Sequence, residues 1–482
     1  MASYHESEDT VYPTHMIDNA SVLKSLVMAW TMRFNDVLDA DKLHKALTEL
    51  LTIGDWKKLG GRLKVGHNRN GALEVHVPSS FSEERPAIYF SHDHYQISIE
   101  EHERGRWAIK ATDRPSLYPA SSSAGDYACL RGAPTSLKDF TRRDVPMINL
   151  YIATFQNATL VTVTWPHALF DGGGFCHLLE AWSLVMAEQK EKIPDLLGAK
   201  EDVLYNIGDI AKSGTHYTAS ESRVLSGLSF IFFLLRFLWV IITQPTIDSR
   251  VICLPKHTVE NLHQRALKDL EDEVGDPWVS PADAILAWVS RAVNPRPSRP
   301  ITMTTTIDAR TRISELQGAS GVYVQNMVLG SFATISPDDF RGPLGKQALV
   351  NRRGLLDQLQ ETNLIGILQL LRKRWDSGNH RAPIFAAPGT DMFMTNNRLK
   401  INIFKAANFR SAVLQASKQR TRSNPLGTPV YQYASALDPG IAFRNFVTVH
   451  TKDYDGNYWL SGFFTPQQWS NIEEGLNQDL IT

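Results

Sequence analysis

One segment decides how the chain folds: Thr162-Val163-Thr164-Trp165-Pro166-His167-Ala168-Leu169-Phe170-Asp171-Gly172-Gly173-Gly174. The apolar and β-branched run 160–164 predicts a buried strand, which Pro166 ends, so His167 lies at a strand end. The three glycines after Asp171 predict a sharp turn before a helix over 175–186. The segment therefore predicts a strand, a loop that carries polar side chains, and a helix.

The two polar side chains of this loop suit acid–base chemistry. A neutral imidazole accepts a proton from a hydroxyl or an amine near neutral pH, and a nearby carboxylate can brace the loop that carries it. Residues four apart can share one face of a helix, but the glycines that follow Asp171 argue against a helix here. His167 and Asp171 are therefore not expected to share a helix face. Histidine and aspartate at this spacing also occur by chance, so the pair alone does not define a function.

The pattern His167-x-x-x-Asp171-Gly172 resembles the HxxxDG signature of the BAHD acyltransferases and, more loosely, that of chloramphenicol acetyltransferase and of peptide-synthetase condensation domains. Other segments resemble the same family: WKKLGGRL at 56–63, the helix start SPAD at 280–283, YVQN at 323–326 and the closing hairpin and helix at 446–469. The resemblance spans nearly the whole chain and is strongest to fungal enzymes such as the trichothecene O-acetyltransferases. It implies an α/β, two-domain chloramphenicol acetyltransferase-like (BAHD) fold, with mixed sheets flanked by helices and an active-site tunnel between pseudo-symmetric halves.

Length supports two domains. A chain of 482 residues with 43% hydrophobic composition exceeds the usual size of a single core. We expect an N-terminal acyltransferase domain over 1–215, an apolar crossover segment over 216–248 and a C-terminal acyltransferase domain over 249–482.

Charge and cysteine content exclude several classes of function. A net charge of −1 gives no general reason to expect nucleic acid as a partner. Cys129, Cys176 and Cys253 are widely spaced and form no CxxC, so neither disulfides nor a zinc site is suggested. His92 and His94 lack an evident third ligand, and no metal site is expected. The polar first residues lack a secretory pattern, which predicts a cytoplasmic protein.

The segment 224–242 is almost entirely apolar and includes Arg236. It is close to the minimal length of a membrane span, but the arginine and the flanking residues are not those of a typical anchor. We expect a buried or partly exposed crossover helix, such as fungal members of the family carry between their halves. A weak contact with a membrane surface through 224–242 stays open as an alternative.

The resemblance also implies roles for residues in the second half. The segment Asp308-Ala309-Arg310-Thr311-Arg312 matches a family Asp-x-Arg-x-Arg segment, so Arg310 is the expected partner of Asp171, with Arg312 as the other candidate. A guanidinium can hold a carboxylate through two hydrogen bonds and so fix the loop of His167. Thr395 matches a strand-end hydroxyl that helps to stabilise an oxyanion.

The chain departs from the family at its second signature, Asp-Phe-Gly-Trp-Gly. The counterpart here is Asn408-Phe409-Arg410-Ser411-Ala412, in which Asn408 replaces the aspartate. In the family this signature is mainly structural. Its loss does not exclude catalysis, but it weakens any transfer of detail from plant enzymes, including how the coenzyme is held.

The function implied is transfer of an acyl group, acetyl first, from acyl-CoA to a hydroxyl of a hydrophobic secondary metabolite. His167 acts as general base, Asp171 and Gly172 support the loop, acyl-CoA is a co-substrate rather than a bound cofactor, and the protein is a monomer. Two alternatives stay open: a member of the fold that catalyses cyclisation, isomerisation or elimination, and a catalytically silent binding protein.

Two local predictions concern the first half. The apolar stretch 21–34 predicts a strand, and 101–130, with its prolines and serines, predicts an irregular surface loop.

Overall fold

The computed structural model describes residues 9–66, 71–102, 109–119, 132–214, 216–417, 422–440 and 443–478. The strands, in chain order, are β1 Thr10–Pro13, β2 Val27–Phe34, β3 Val37–Leu38, β4 Arg62–Val65, β5 Leu73–Val77, β6 Tyr89–His94, β7 Ser116–Pro119, β8 Asn149–Thr154, β9 Thr159–Pro166, β10 Leu196–Leu197, β11 Asp248–Leu254, β12 Ile301–Asp308, β13 Val322–Tyr323, β14 Val328–Ile335, β15 Asp391–Asn397, β16 Val413–Gln415, β17 Tyr431–Ala436, β18 Phe446–Lys452 and β19 Tyr458–Phe464.

The α-helices are α1 Ser21–Lys24, α2 Ala40–Leu50, α3 Leu137–Arg142, α4 Gly172–Met186, α5 Val203–Ile207, α6 Ile210–Ser213, α7 Tyr217–Glu221, α8 Gly227–Thr243, α9 Lys256–Lys268, α10 Pro281–Val293, α11 Ser314–Gln317, α12 Pro337–Arg341, α13 Leu344–Gln358, α14 Glu361–Asp376, α15 Ile403–Ala406 and α16 Pro466–Gln478. Short 3₁₀ helices cover Gly54–Gly60, Lys190–Lys192, Ala309–Thr311 and Arg410–Ala412.

Two mixed sheets form the two largest cores. The first sheet has the order β17-β2-β9-β8-β6, and its apolar face packs against α2 and α4. The second has the order β14-β12-β15-β18-β19-β11-β7, and it packs against α9, α10, α13 and α16. Within each sheet some neighbouring strands are parallel and others antiparallel. This is the mixed α/β architecture that the sequence predicts.

The halves before and after α8 exchange strands. β7, from the first half, pairs antiparallel with β11 at the edge of the second sheet. β17, from the second half, pairs antiparallel with β2 in the first sheet. The division into 1–215, 216–248 and 249–482 stays a prediction about domains, and strands cross it in both directions.

Two local predictions were wrong in part. Within the predicted loop 101–130, β7 is a strand; it is a short edge strand that ends in proline, and proline is tolerated at sheet edges. Residues 103–108 and 120–130 of that loop lie outside the described residues. In the predicted strand 21–34, the first turn is helix α1, because Ser21 donates from both its backbone N and its Oγ to the carbonyl of His380.

Helix starts follow the sequence closely. Asp39 caps α2 by accepting from the backbone N of Lys42 at 2.9 Å. At α10, Ser280 accepts from the backbone N of Asp283, and the Asp283 carboxylate accepts in return from the backbone N of Ser280. This reciprocal capping box, followed by Pro281, is the start that the sequence predicts.

Candidate active site

The loop of His167 leaves the middle strand of the first sheet. β9 pairs along its whole length with β2, and the backbone N of His167 extends this contact by donating to the carbonyl of Leu26 at 2.8 Å. Helix α4 begins at Gly172, not at residue 175 as predicted, because Asp171 caps it by accepting from the backbone N of Gly174 at 2.9 Å. The cap outweighs the low helix propensity of glycine.

The glycines are needed for close approach rather than for a turn. A Cβ on Gly174 would lie 2.0 Å from the carbonyl oxygen of Val324, and one on Gly173 would lie 2.7 Å from Nη1 of Arg310. A Cβ on Gly172, the glycine of the HxxxDG pattern, would meet its nearest neighbours only at 3.4 Å. The two glycines after the pattern therefore let the helix N-terminus touch the second half of the chain.

Asp171 forms a buried, two-point ion pair with Arg310. Nη1 and Nη2 of Arg310 donate to the two carboxylate oxygens at 3.1 and 2.9 Å, and the backbone N of Met327 donates at 2.8 Å. Burial alone would raise the pKa of Asp171, but the guanidinium and these hydrogen bonds outweigh it and hold the pKa below its usual value. The carboxylate is thus ionised and fully occupied in loop positioning.

Arg310 is itself held from several sides. Its Nε donates to the carbonyl of Tyr323 at 2.8 Å, Nη2 donates to that of Gln325 at 2.5 Å, and Nη1 donates to Asp308 at 3.0 Å. Arg310, rather than Arg312, is therefore the arginine that contacts Asp171. The YVQN segment supplies the carbonyl groups around it, which gives this part of the family resemblance a structural reason.

Asn326 ties the His167 loop to the N-terminal segment. Its side-chain nitrogen donates to the carbonyl of His167 at 2.7 Å and to Asp18 at 2.8 Å. Burial raises the pKa of Asp18 to about 7, although buried Lys58 acts against that shift. The loop is thus held through its backbone and through Asp171, and not through the imidazole ring of His167.

The His167 ring is neutral at neutral pH. Burial lowers its pKa, and the positive charge of Arg398 lowers it further, while Asp171, the backbone carbonyl of His167 and the Asn326 side chain act in the opposite direction. Among the described residues, the buried Nδ1 has no hydrogen-bond partner of normal geometry. The residue keeps part of its surface accessible despite these surroundings.

A polar cluster of Arg398, His450 and Tyr433 was not predicted from the sequence, and the charge of its arginine acts on His167. Arg398 follows β15, its guanidinium lies 5.3 Å from the ring centre of Trp30, and its buried Nη1 has no hydrogen-bond partner within the described part of the chain. Burial lowers the pKa of Arg398 to about 10, and Asp171 and Tyr433 partly offset that effect. His450 is buried with its pKa well below the usual value, because of burial and of Arg398. A lone arginine directly after a predicted strand was the only sequence signal for this cluster.

Thr395 lies on β15 with its hydroxyl in contact with β12. Its Oγ1 is 2.8 Å from Oγ1 of Thr305, and it donates to the carbonyl of Thr304 at 3.2 Å. The second distance is long for a hydroxyl hydrogen bond. Either threonine can donate the shorter bond, and when Thr305 does, only the weaker bond holds the proton of Thr395.

Asn408 lies at the surface, near the C-terminal end of α15. Its backbone N donates to Oγ of Ser183 at 3.0 Å, and its side chain accepts from the backbone N of Arg410 at 3.4 Å. Phe409, the next residue, is buried and stacks on Phe34 with ring centres 5.5 Å apart. The aromatic position of the second signature is thus structural here, and within the described part of the chain Asn408 makes no hydrogen bond to the His167 loop.

Neither a metal site nor a thiol nucleophile emerges from the described ranges. No group of three or more histidine, cysteine, aspartate or glutamate side chains converges there. Burial raises the pKa of the Cys176 and Cys253 thiols to about 12, which keeps both protonated. The polar chemistry of the site therefore belongs to imidazole, carboxylate, guanidinium and hydroxyl groups.

The sequence and the fold were compared with known proteins. No protein-family model matches. An acetyltransferase of Pyricularia grisea, pyiB, is 33% identical over 98% of this chain and 94% of its own length, and the O-acetyltransferase PaAT-2 of Phomopsis amygdali is 32% identical over 98% of both chains. The solved structure of Fusarium sporotrichioides TRI101 with coenzyme A and T-2 aligns with a TM-score of 0.68 at 15% identity, covering 98% of both chains. Vinorine synthase aligns with a TM-score of 0.53 over 98% of this chain and 92% of its own.

These matches, with the HxxxDG loop and the two mixed sheets, define an O-acyltransferase of two-domain chloramphenicol acetyltransferase-like fold. The chain belongs to the BAHD-type acyltransferase family and resembles its fungal acetyltransferases, as the sequence predicts.

No helix in the described ranges is both long and apolar enough to cross a bilayer.

Proposed function

We propose that this protein transfers an acetyl group from acetyl-CoA to a hydroxyl of a hydrophobic secondary metabolite, with His167 as the general base. The observation that carries the proposal is a neutral imidazole whose loop is fixed entirely by other groups. The relatives pyiB and PaAT-2 are acetyltransferases by name, and TRI101 of Fusarium graminearum has been solved with coenzyme A and either T-2 mycotoxin or deoxynivalenol. These names support a coenzyme A donor and a small-molecule acceptor. The hydroxyl acceptor and the monomeric state are further parts of the proposal.

The proposed chemistry begins at the imidazole. With the ring proton on the buried Nδ1, Nε2 is the nitrogen that accepts the proton of the acceptor hydroxyl. The acceptor oxygen attacks the thioester carbonyl and forms a tetrahedral intermediate. The intermediate collapses, the C–S bond breaks, and the imidazolium returns the proton to the departing thiolate. General-base help of this kind is worth roughly 10²- to 10⁴-fold.

Thr395 is the proposed donor to the oxyanion. When Thr305 donates the 2.8 Å bond between the two hydroxyls, the proton of Thr395 points to the Thr304 carbonyl at 3.2 Å. Rotation of the Thr395 hydroxyl can then redirect this proton without breaking a strong bond. No acyl-enzyme is required, because His167 deprotonates the acceptor directly and both described thiols stay protonated.

The test compares His167→Ala with the wild type in two assays. Release of coenzyme A from acetyl-CoA is measured with a panel of hydroxylated terpenoids, and thermal unfolding is measured with and without acetyl-CoA. We expect His167→Ala to lose about 10²- to 10⁴-fold in acetyl transfer and to keep the ligand-induced rise in Tm. His92→Ala is the matched control. His92 lies on β6, its ring is 2.9 Å from the hydroxyl of Thr154 on β8, and it has no proposed role in the reaction. Unchanged transfer by His167→Ala would refute the general base, and the absence of a Tm rise with any acyl-CoA would refute the donor.

A further inference from the structure

Helix α8 exposes apolar side chains where surface helices normally expose polar ones. None of its residues is fully buried. Leu228 and Ile242 are each 72% exposed, Phe232 is 67% exposed and Trp239 is 65% exposed. The remaining exposed large side chains of the helix are Ile231, Leu234, Leu235 and Leu238. Scattered exposed hydrophobic residues need no explanation, but a continuous apolar face does.

The exposed positions form one broad stripe. They recur at helical spacing from Leu228 to Ile242, and at 100° per residue they cover an arc of roughly 160°. A packed partner helix covers only a narrow seam of its neighbour. If two copies of this chain packed helix against helix, much of the stripe would therefore stay in contact with water. The acyl-chain region of a lipid bilayer would cover the whole stripe.

The helix is attached to the rest of the protein at both ends and in the middle, so its exposed stripe faces outward along its whole length. Before it, the backbone N of Leu225 donates to the carbonyl of Ile384 at 2.8 Å. After it, Arg444 donates to the carbonyl of Gln244 at 2.7 Å. In the middle, Arg236 turns inward, donates to the carbonyl of Thr390 and pairs with Asp391. The internal arginine is thus neutralised on the protein side and does not break the outer stripe.

The chemistry of the segment fits phospholipid better than a protein surface. No acidic residue occurs between Glu221 and Asp248, so no carboxylate of this segment would have to leave water beside a lipid surface. Trp239 faces outward, and tryptophan is favoured at the boundary between headgroups and acyl chains. The eight exposed side chains carry no polar group except the indole N–H, whereas protein interfaces contain many hydrogen bonds.

We propose that α8 is a docking surface for a phospholipid bilayer, on which it lies parallel to the membrane plane with its outer stripe among the upper acyl chains. The attraction is mainly hydrophobic, since the stripe has no cation of its own. Binding therefore requires no anionic lipid and persists at high salt.

The experiment is flotation of the purified full-length protein with phosphatidylcholine vesicles at low and high salt. We expect the wild type to float in both, and the double variant Phe232→Gln with Trp239→Gln to lose about tenfold or more in vesicle binding. The control is the double variant Val274→Gln with Leu414→Gln, which removes side chains that are 94% and 68% exposed elsewhere. Thermal unfolding shows that each variant is folded, and we expect little change because all four positions are exposed.

A second measurement tests insertion directly. Quenching of tryptophan fluorescence by vesicles of brominated phosphatidylcholine should fall in Trp239→Phe, which keeps the stripe apolar and removes the reporting ring. Absence of flotation, or equal flotation of the wild type and the α8 variant, would overturn the proposal. So would a wild-type dimer, seen by light scattering, that the α8 variant converts to a monomer, because the stripe would then be an interface between copies.

Discussion

Asp171 and Asp36 are two buried carboxylates with nearly the same partners. Each accepts two hydrogen bonds from one arginine and two from backbone N–H groups: Asp171 from Arg310, Gly174 and Met327, and Asp36 from Arg422, Ser417 and Gly427. In both, burial would raise the pKa and the partners more than reverse the shift. One pair joins the His167 loop to the second half, and the other fixes the chain that follows the altered second signature.

The difference lies in what surrounds the two arginines. The side chain of Arg310 is 8% exposed and also contacts a second carboxylate, that of Asp308, and three backbone carbonyls. The side chain of Arg422 is 22% exposed and donates to two backbone carbonyls, those of Asn424 and Pro425. A carboxylate–guanidinium pair is therefore a means of fastening distant segments. It becomes part of an active site only where the fastened segment carries reactive groups.

Breaking the inner pair, Asp171 with Arg310, has the largest expected effect. Arg310→Met leaves an unpaired buried carboxylate, so we expect a loss of about 3–5 kcal/mol in the free energy of unfolding and a large loss of acetyl transfer. The measurements are urea unfolding and the transfer assay. The lowered pKa of Asp171 means that the pair stabilises the fold above the unfolded carboxyl pKa of about 4, and that this stability is lost as pH falls through the folded pKa. A variant with wild-type stability at pH 7 would contradict this account.

Breaking the outer pair, Asp36 with Arg422, should change stability but not activity. Arg422→Met removes two of the four hydrogen bonds to Asp36 and leaves two backbone donors, as Arg310→Met does at Asp171. Because Arg422 is more hydrated than Arg310, we expect the smaller loss, about 1–3 kcal/mol. The kcat of the folded variant should equal that of the wild type, measured well below its Tm. A loss of kcat as large as that of Arg310→Met would show that the two pairs are functionally alike.

Arg398 tests the electrostatics of the inner site without touching either pair. Its positive charge lowers the pKa of His167, so Arg398→Met should raise that pKa. A general base works only when deprotonated, and the acid limb of kcat/KM against pH should therefore move to higher pH. Lys405→Met, which removes an exposed cation from α15, is the control. An acid limb that stays in place or moves to lower pH would rule out this influence.

The smallest effect is expected at the altered signature itself. Asn408→Asp restores the family residue at an exposed position, and we expect a change within about ±0.5 kcal/mol and an unchanged kcat. Thermal unfolding and the transfer assay measure both. A clear gain in activity would mean that the signature still affects catalysis in this chain.

One of the two ion pairs could be predicted from the sequence, and the other could not. Asp171 and Arg310 each lie in a recognisable segment, so their partnership could be predicted across 139 residues. Asp36 and Arg422 are 386 residues apart and lie in no pattern, so only the folded backbone brings them together. The start of α4 was predicted too late for a related reason: glycine propensity is local, but the need for glycine at 174 arises from the carbonyl of Val324. The inner cluster of Arg398, His450 and Tyr433 likewise depends on strands that meet only in three dimensions.

The exchange of β7 and β17 has a consequence for synthesis on the ribosome. The five-stranded sheet that holds His167 is completed only when Tyr431–Ala436 pairs with β2, after nearly the whole chain has been made. Until then one edge of β2 presents unpaired backbone groups that can capture another strand. Nascent chains truncated before residue 431 should therefore need a chaperone to stay in solution, and this sheet should be among the last parts of the protein to become resistant to protease.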